Sequence, residues 1–157
     1  AFVSDYIRFY ALEKEGGVYL DTDMEVLRPL DGLLNKGVFL GRSKSGHIES
    51  SIIGAIPHHP FIQKAFAFYE NDTTFSTSNT SPIVLENTFS SGTFEDVHVY
   101  DASYFHPCDE GEECGEETLV GAYARHHWAE SWVPFAKVRK LLRKTGMMPL
   151  FKHFVRK

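Results

Sequence analysis

No acidic residue follows Glu130, and no apolar run in the 157 residues approaches the roughly 18 that a membrane-spanning helix requires. The second absence excludes a transmembrane helix within these residues. The first divides the chain: all 21 acidic residues and 8 of the 16 basic ones precede Ser131, so a net charge of −5 conceals an acidic body and a basic tail. An acidic body repels phosphate backbones, which argues against a nucleic-acid role. Cysteine is scarce. Cys108 and Cys114 lie in HPCDEGEECGEET, too few ligands at too wide a spacing for a structural zinc site. A disulfide in an oxidising compartment and two free thiols are both open. The acidic run between them reads as a solvated loop. No signal peptide, internal repeat or low-complexity tract is visible.

What is present suits one globular domain: 43% hydrophobic and 14% aromatic residues. Residues 2–15 read as a helix, with Ser4 as N-cap and Gly16-Gly17 as the stop. Asp5 and Arg8, three apart, share one helical face. Val18-Tyr19-Leu20 is a short buried strand that leads into Asp21-Thr22-Asp23. On an extended segment Tyr19, Asp21 and Asp23 point the same way. Two carboxylates at the end of a buried strand are costly unless a cation or donors satisfy them. A hard divalent metal does that and leaves coordination positions for phosphate oxygens. A D-x-D triplet alone is most often a solvated turn; here the helix pattern, Gly-Gly stop and apolar strand before it argue for a site.

Downstream, 24–30, 37–41 and 51–56 read as strands, and 61–69 as a helix with Ile62, Ala65, Phe66 and Tyr69 at core spacing. His58-His59-Pro60 reads as a helix start. Residues 71–80 read as a polar loop and 83–88 as a short helix. Residues 97–100 and 104–105 read as edge strands, and 122–127 as a last strand.

Ser4-Asp5-Tyr6-Ile7-Arg8, Gly16-Gly17-Val18-Tyr19-Leu20-Asp21-Thr22-Asp23 and Arg28-Pro29-Leu30 together resemble the DxD region of glycosyltransferases of the sugar-binding-region family. That family includes capsular-polysaccharide transferases and yeast-type initiating mannosyltransferases, with the large glucosylating toxins as distant relatives. His126-His127-Trp128 and Ser131-Trp132 match a later family feature, so the resemblance covers residues 2 to about 133. Ser81-Pro82 departs from it, standing where the family usually has G-P.

The resemblance implies an α/β GT-A fold, here without its N-terminal βαβ units, as in a fragment of a longer protein. It also implies transfer of a sugar from a UDP- or GDP-sugar donor to a saccharide or lipid-linked acceptor, with retention of configuration. Asp5 and Arg8 would then reach the donor sugar, with Tyr19 beside them. Asp23 would bind Mn²⁺ (or Mg²⁺) directly, and Asp21 would act through water or hold ribose and sugar hydroxyls. Related enzymes often add a histidine near the end of the domain, and His127 is the expected metal ligand in preference to His126. No carboxylate nucleophile stands out, which suits front-face substitution. A metal-dependent phosphoester hydrolase and a non-catalytic sugar- or membrane-binding remnant are the alternatives.

The expected division is a catalytic part over 1–133 and a basic amphipathic helical segment over 134–157. In that tail Phe135, Val138, Leu141 and Leu142 recur at helical spacing among lysines and arginines. Peripheral contact with an anionic membrane follows, as does packing with a solvated basic face. The expected location is the cytoplasmic face of a bacterial inner membrane, with the Golgi lumen as the alternative.

Overall fold

The computed structural model describes residues 2–71 and 79–129. The basic tail, Ser131-Trp132 and most of the polar loop after Asn71 lie outside them. The first helix, α1 (Phe2–Lys14), ends where Gly16, at φ 66°, takes the left-handed conformation of a helix stop. A Cβ there would lie 2.8 Å from the Ala55 carbonyl oxygen, so glycine is required sterically as well. The chain turns straight into β1 (Gly17–Leu20).

A four-stranded sheet follows in the order β1-β4-β3-β5, with β3 (Val38–Arg42), β4 (Ile48–Ala55) and β5 (Val97–Tyr100). β1 and β3 pair antiparallel to β4, and β5 is parallel to β3. Helices α2 (Pro60–Asn71) and α3 (Ser81–Ser90) pack with α1 on one side. Their interface with the sheet holds Phe9, Leu12, Val38, Leu40, Ile53, Phe61 and Ile62, all at most 2% exposed. Each such side chain contributes about 1.5–3 kcal/mol. The opposite face holds Leu33, Phe39, Ile52, Phe105 and Ala124. The arrangement is mixed α/β, as expected.

Two elements differ from expectation. Residues 104–105 belong to a helical turn, α4 (Ala102–Phe105), which places Phe105 inside the second cluster. A second short helix, α5 (Glu116–Leu119), follows the acidic loop. The last strand, β6 (Ala124–His126), pairs with β2 (Met24–Val26) as a separate two-stranded ribbon. Between β2 and β3, Asp31–Leu33 form a single 3-10 turn after Pro29.

Two features of this layout build the site. The β3–β4 register shifts between Leu40 and Gly41, so Ser50, Ser51 and Ile52 have no partner on β3. They serve β1 instead: Leu20 pairs with Ile52, and the Asp21 amide donates to the Ser51 carbonyl at 2.8 Å. The bulge thus turns the start of β4 toward α1. The β2–β6 ribbon meanwhile returns the chain beside Asp23, where the His127 amide donates to the Asp23 carbonyl at 2.9 Å.

Candidate active site

Where β1 ends, a cavity of about 540 Å³ opens between α1, the bulged start of β4, the N-terminus of α3 and the end of β6. Asp5 and Arg8 form its floor, each only 5% exposed, so they are a buried pair and not a surface one. Arg8 Nη2 lies 3.1 Å from Asp5 Oδ1. Arg8 Nη1 donates to the Ser50 carbonyl (2.6 Å) and Ser50 Oγ (2.9 Å). Ser81 donates its hydroxyl to Asp5 Oδ1 at 2.8 Å and its amide to Oδ2 at 3.4 Å. Buried charges persist only when paired and hydrogen-bonded in this way.

The guanidinium also lies over the Tyr19 ring, 4.5 Å from its centroid, and 3.5 Å from Asp21 Oδ1. Among the described residues Arg8 Nε has no hydrogen-bond partner. Tyr19 donates to Asp21 Oδ1 at 2.6 Å. Burial first, and then that bond, hold its phenol above the ordinary pKa and keep it protonated.

Asp21, Asp23 and His126 offer ligand atoms that all lie within 4.8 Å of one another, the one such cluster among the described residues. Asp21 and Asp23 do not share a strand face as expected. β1 stops at Leu20, and a turn in which the Met24 amide bonds the Asp21 carbonyl at 2.9 Å brings the carboxylates together. Asp23 Oδ2 accepts from the Ala129 amide at 2.7 Å and lies 3.2 Å from His126 Nε2. Two carboxylates and an imidazole on a polar cavity wall are a donor set that fits a divalent first-row metal.

The third position of that cluster corrects the expectation of His127. In the ribbon register Glu25 faces Arg125, and Met24 faces His126. Side chains alternate along β6, so His127 lies with Glu25 and Arg125 on the side away from Asp23. His127 Nε2 is 2.9 Å from Glu25 Oε2, and Arg125 Nε donates to the same oxygen at 2.6 Å. These partners hold the Glu25 carboxyl below its ordinary pKa, with Arg125 the larger cause. The notion that only one histidine of the pair can face the site holds, and the ribbon selects the other one.

Two residues of the cavity region, Glu49 and His106, were not singled out in the sequence, and Ser81 stood there only as a departure from the family pattern. Glu49, paired with Gly41 across the bulge, lines the wall, and burial raises its carboxyl above the usual range. Its only sequence signal is a carboxylate directly before Ser50-Ser51. Ser81 is 1% exposed and joins Ser50 Oγ (2.7 Å) to Asp5. His106, fully buried, meets Ser51 Oγ at 2.7 Å behind the wall. Burial, and then the neighbouring His126, push its pKa down to about 4, so it is neutral at pH 7. Asp5, Arg8, Tyr19, Asp21 and Asp23 are all brought together here; His127 is not.

Residues 1–40 match a family described as the glycosyltransferase sugar-binding region containing a DXD motif. An uncharacterised glycosyltransferase of Acanthamoeba polyphaga mimivirus is 28% identical over 151 residues, 88% of this chain and 60% of that protein. A mannosyl phosphorylinositol ceramide synthase of Saccharomyces cerevisiae is 39% identical over 62 residues, 40% of this chain and 16% of its own length. A human alpha-1,4-N-acetylglucosaminyltransferase is 37% identical over 59 residues, 38% of this chain and 16% of its own length. The chain therefore spans 60% or less of these relatives.

Proposed function

We propose, since residues 1–40 match a DXD-containing sugar-binding region of glycosyltransferases, that this chain is the metal- and sugar-proximal part of a GT-A glycosyltransferase. It would use a nucleotide-sugar donor and transfer to a saccharide or lipid-linked acceptor with retention of configuration. The observation that carries the proposal is the meeting of two sets of groups in one cavity. At one end Asp21, Asp23 and His126 form a divalent-cation donor set, and on the floor a buried Asp5–Arg8 pair faces the same space.

In this reading Asp23 and His126 hold Mn²⁺ (or Mg²⁺) directly, and Asp21 completes the set or acts through water. When bound there, the metal would supply charge neutralisation for a nucleoside diphosphate leaving group. Everything else is done by the chain. Arg8, on the cavity floor, donates to the sugar or to phosphate oxygens. Asp5 holds Arg8 in that direction and accepts from a sugar hydroxyl on the lone pairs that Ser81 leaves free. Tyr19 fixes one Asp21 oxygen, leaving the other for the metal side. Retention by front-face attack needs no enzyme nucleophile. Glu49 is the wall carboxylate that a covalent route would use, so Glu49→Gln separates the two routes. Turnover within a few-fold of wild type fits front-face attack, and loss of a trapped glycosyl-enzyme fits the other.

The Cys108–Cys114 disulfide suits an oxidising compartment, which favours the Golgi lumen over a cytoplasmic membrane face. The basic tail would bring the enzyme to an anionic membrane carrying lipid-linked acceptors. Hydrolysis of a donor panel by the full-length protein, with Mn²⁺ and then with chelator, tests the proposal. Metal-dependent release of UDP or GDP is expected. Cleavage of simple phosphoesters in its place would point to the hydrolase alternative, and no cleavage of either to a binding remnant.

A further inference from the structure

Trp128 has φ 52°, a left-handed backbone that a bulky residue keeps only when its surroundings hold it. Two contacts do so. Its ring centroid lies 4.2 Å from that of His126, at 37° between planes. Its indole Nε1 donates to the Cys108 carbonyl at 3.1 Å. Cys108 is itself buried and joined covalently to Cys114. The loop so closed is fastened to the rest of the fold: Glu112 accepts from the Asp109 amide at 2.8 Å and from Lys44 Nζ, on the β3–β4 hairpin, at 2.6 Å. On the other side of Trp128, the Ala129 amide holds Asp23 Oδ2 at 2.7 Å. A chain of contacts thus runs from the disulfide through Trp128 to both His126 and Asp23.

We infer that Trp128 is a positioning residue for His126, and that the disulfide-closed loop 108–114 holds it there, so that the affinity for a divalent cation depends on the disulfide. The inference rests on the metal reading above. His126 Nε2 lies 3.2 Å from Asp23 Oδ2, but Nδ1 has no hydrogen-bond partner among the described residues, so no polar contact holds that side of the imidazole. The Trp128 face does that by packing. Without the indole N–H bond to Cys108 the tryptophan loses one of the contacts that fix it, and the left-handed backbone at 128 has less to hold it.

Mn²⁺ titration of the full chain, followed by the free-ion electron paramagnetic resonance signal, tests this with no catalysis required. Three proteins are compared with wild type: Trp128→Phe, which keeps a ring on His126 but loses the donor; Cys108→Ser with Cys114→Ser; and the combination. Each of the first two is expected to weaken Mn²⁺ binding about five- to tenfold, the scale of one lost hydrogen bond. The combination should weaken it no further, since both break the same contact. Far-UV circular dichroism verifies folding, and if the serine pair does not fold, Trp128→Phe decides alone. Wild-type affinity in Trp128→Phe, or losses that add, overturns the inference while leaving the metal reading standing. Absence of Mn²⁺ binding by the wild type overturns both.

Discussion

At the scale of single residues, the site separates side chains that are chemically alike. Asp23 and His126 touch each other, whereas His127 lies against Glu25 on the other face of the ribbon. Asp23→Ala should lower metal-dependent donor cleavage by more than about a hundredfold. The thermal midpoint should fall only slightly, because Asp23 lies in a turn at the cavity and its loss removes one hydrogen bond, from the Ala129 amide. His126→Ala should raise the Mn²⁺ concentration needed for half-maximal activity, and His127→Ala should not; the reverse ranking would discard the ribbon argument. Glu13 belongs to the same scale but to stability. Its carboxylate meets His58 Nδ1 at 2.9 Å and Lys14 Nζ at 2.9 Å, and these contacts, His58 first, lower its pKa to about 2. A depressed carboxylate favours the folded state above the unfolded pKa near 4.5 and loses that contribution as pH falls toward 2. Wild type should therefore lose more of its thermal midpoint than Glu13→Gln between pH 5 and pH 2.5. Parallel curves for the two proteins would count against this.

At the scale of elements, β4 is the strand on which the site depends. Its middle residues, Ser50 to Ile52, leave β3 at the bulge to face β1 and the cavity, and its second half lies in the sheet core. Gly54, paired with Phe39, shows how closely that half is packed: any Cβ there would overlap the Phe39 ring. Gly54→Ala should destabilise the domain by about 1–3 kcal/mol through forced repacking. Urea unfolding measures this, and an unchanged midpoint would mean that the ring can move aside. The ribbon β2–β6 is the second decisive element. It was read as two separate strands, and only their pairing sets which residues near its end face the cavity.

At the scale of the whole molecule, β1 is an edge strand among the described residues, and Val3, Ile7 and Tyr10, at helical spacing on α1 beside it, are 69%, 55% and 48% exposed there. Phe9, on the other face of the helix, is fully buried and stacks on Tyr69 at 5.5 Å. Tyr6 packs edge-on against Phe66 at 5.2 Å. An open strand edge beside an apolar helical stripe is a surface suited to burial. The 157-residue chain alone should therefore self-associate at micromolar concentration and bind nucleotide-sugars weakly. Sedimentation and calorimetric titration measure both, and a monomer with micromolar donor affinity would refute the expectation. For the tail, deletion of 134–157 should release the protein from anionic vesicles. Its lysines and arginines contribute about 1 kcal/mol each at low salt. Unchanged pelleting would favour a packing role.

The sequence by itself determined what depends on short spacings. The helix that ends at Gly16, the strand that delivers Asp21, the Asp5–Arg8 pair three residues apart and the core stripe of α2 are local, and each was legible from periodicity and stop signals. Tertiary structure alone decided what depends on pairing between distant segments. No local pattern states that Ser81 seals Asp5 from 76 residues away, or that a bulge brings Glu49 to the cavity wall. Nor could it state that β6 pairs with β2 in the register that presents His126 and turns His127 away. Side chains alternate with every residue along a strand, so a one-residue difference in register exchanges the two histidines. Register is set by contacts across the fold, and a single sequence does not print them.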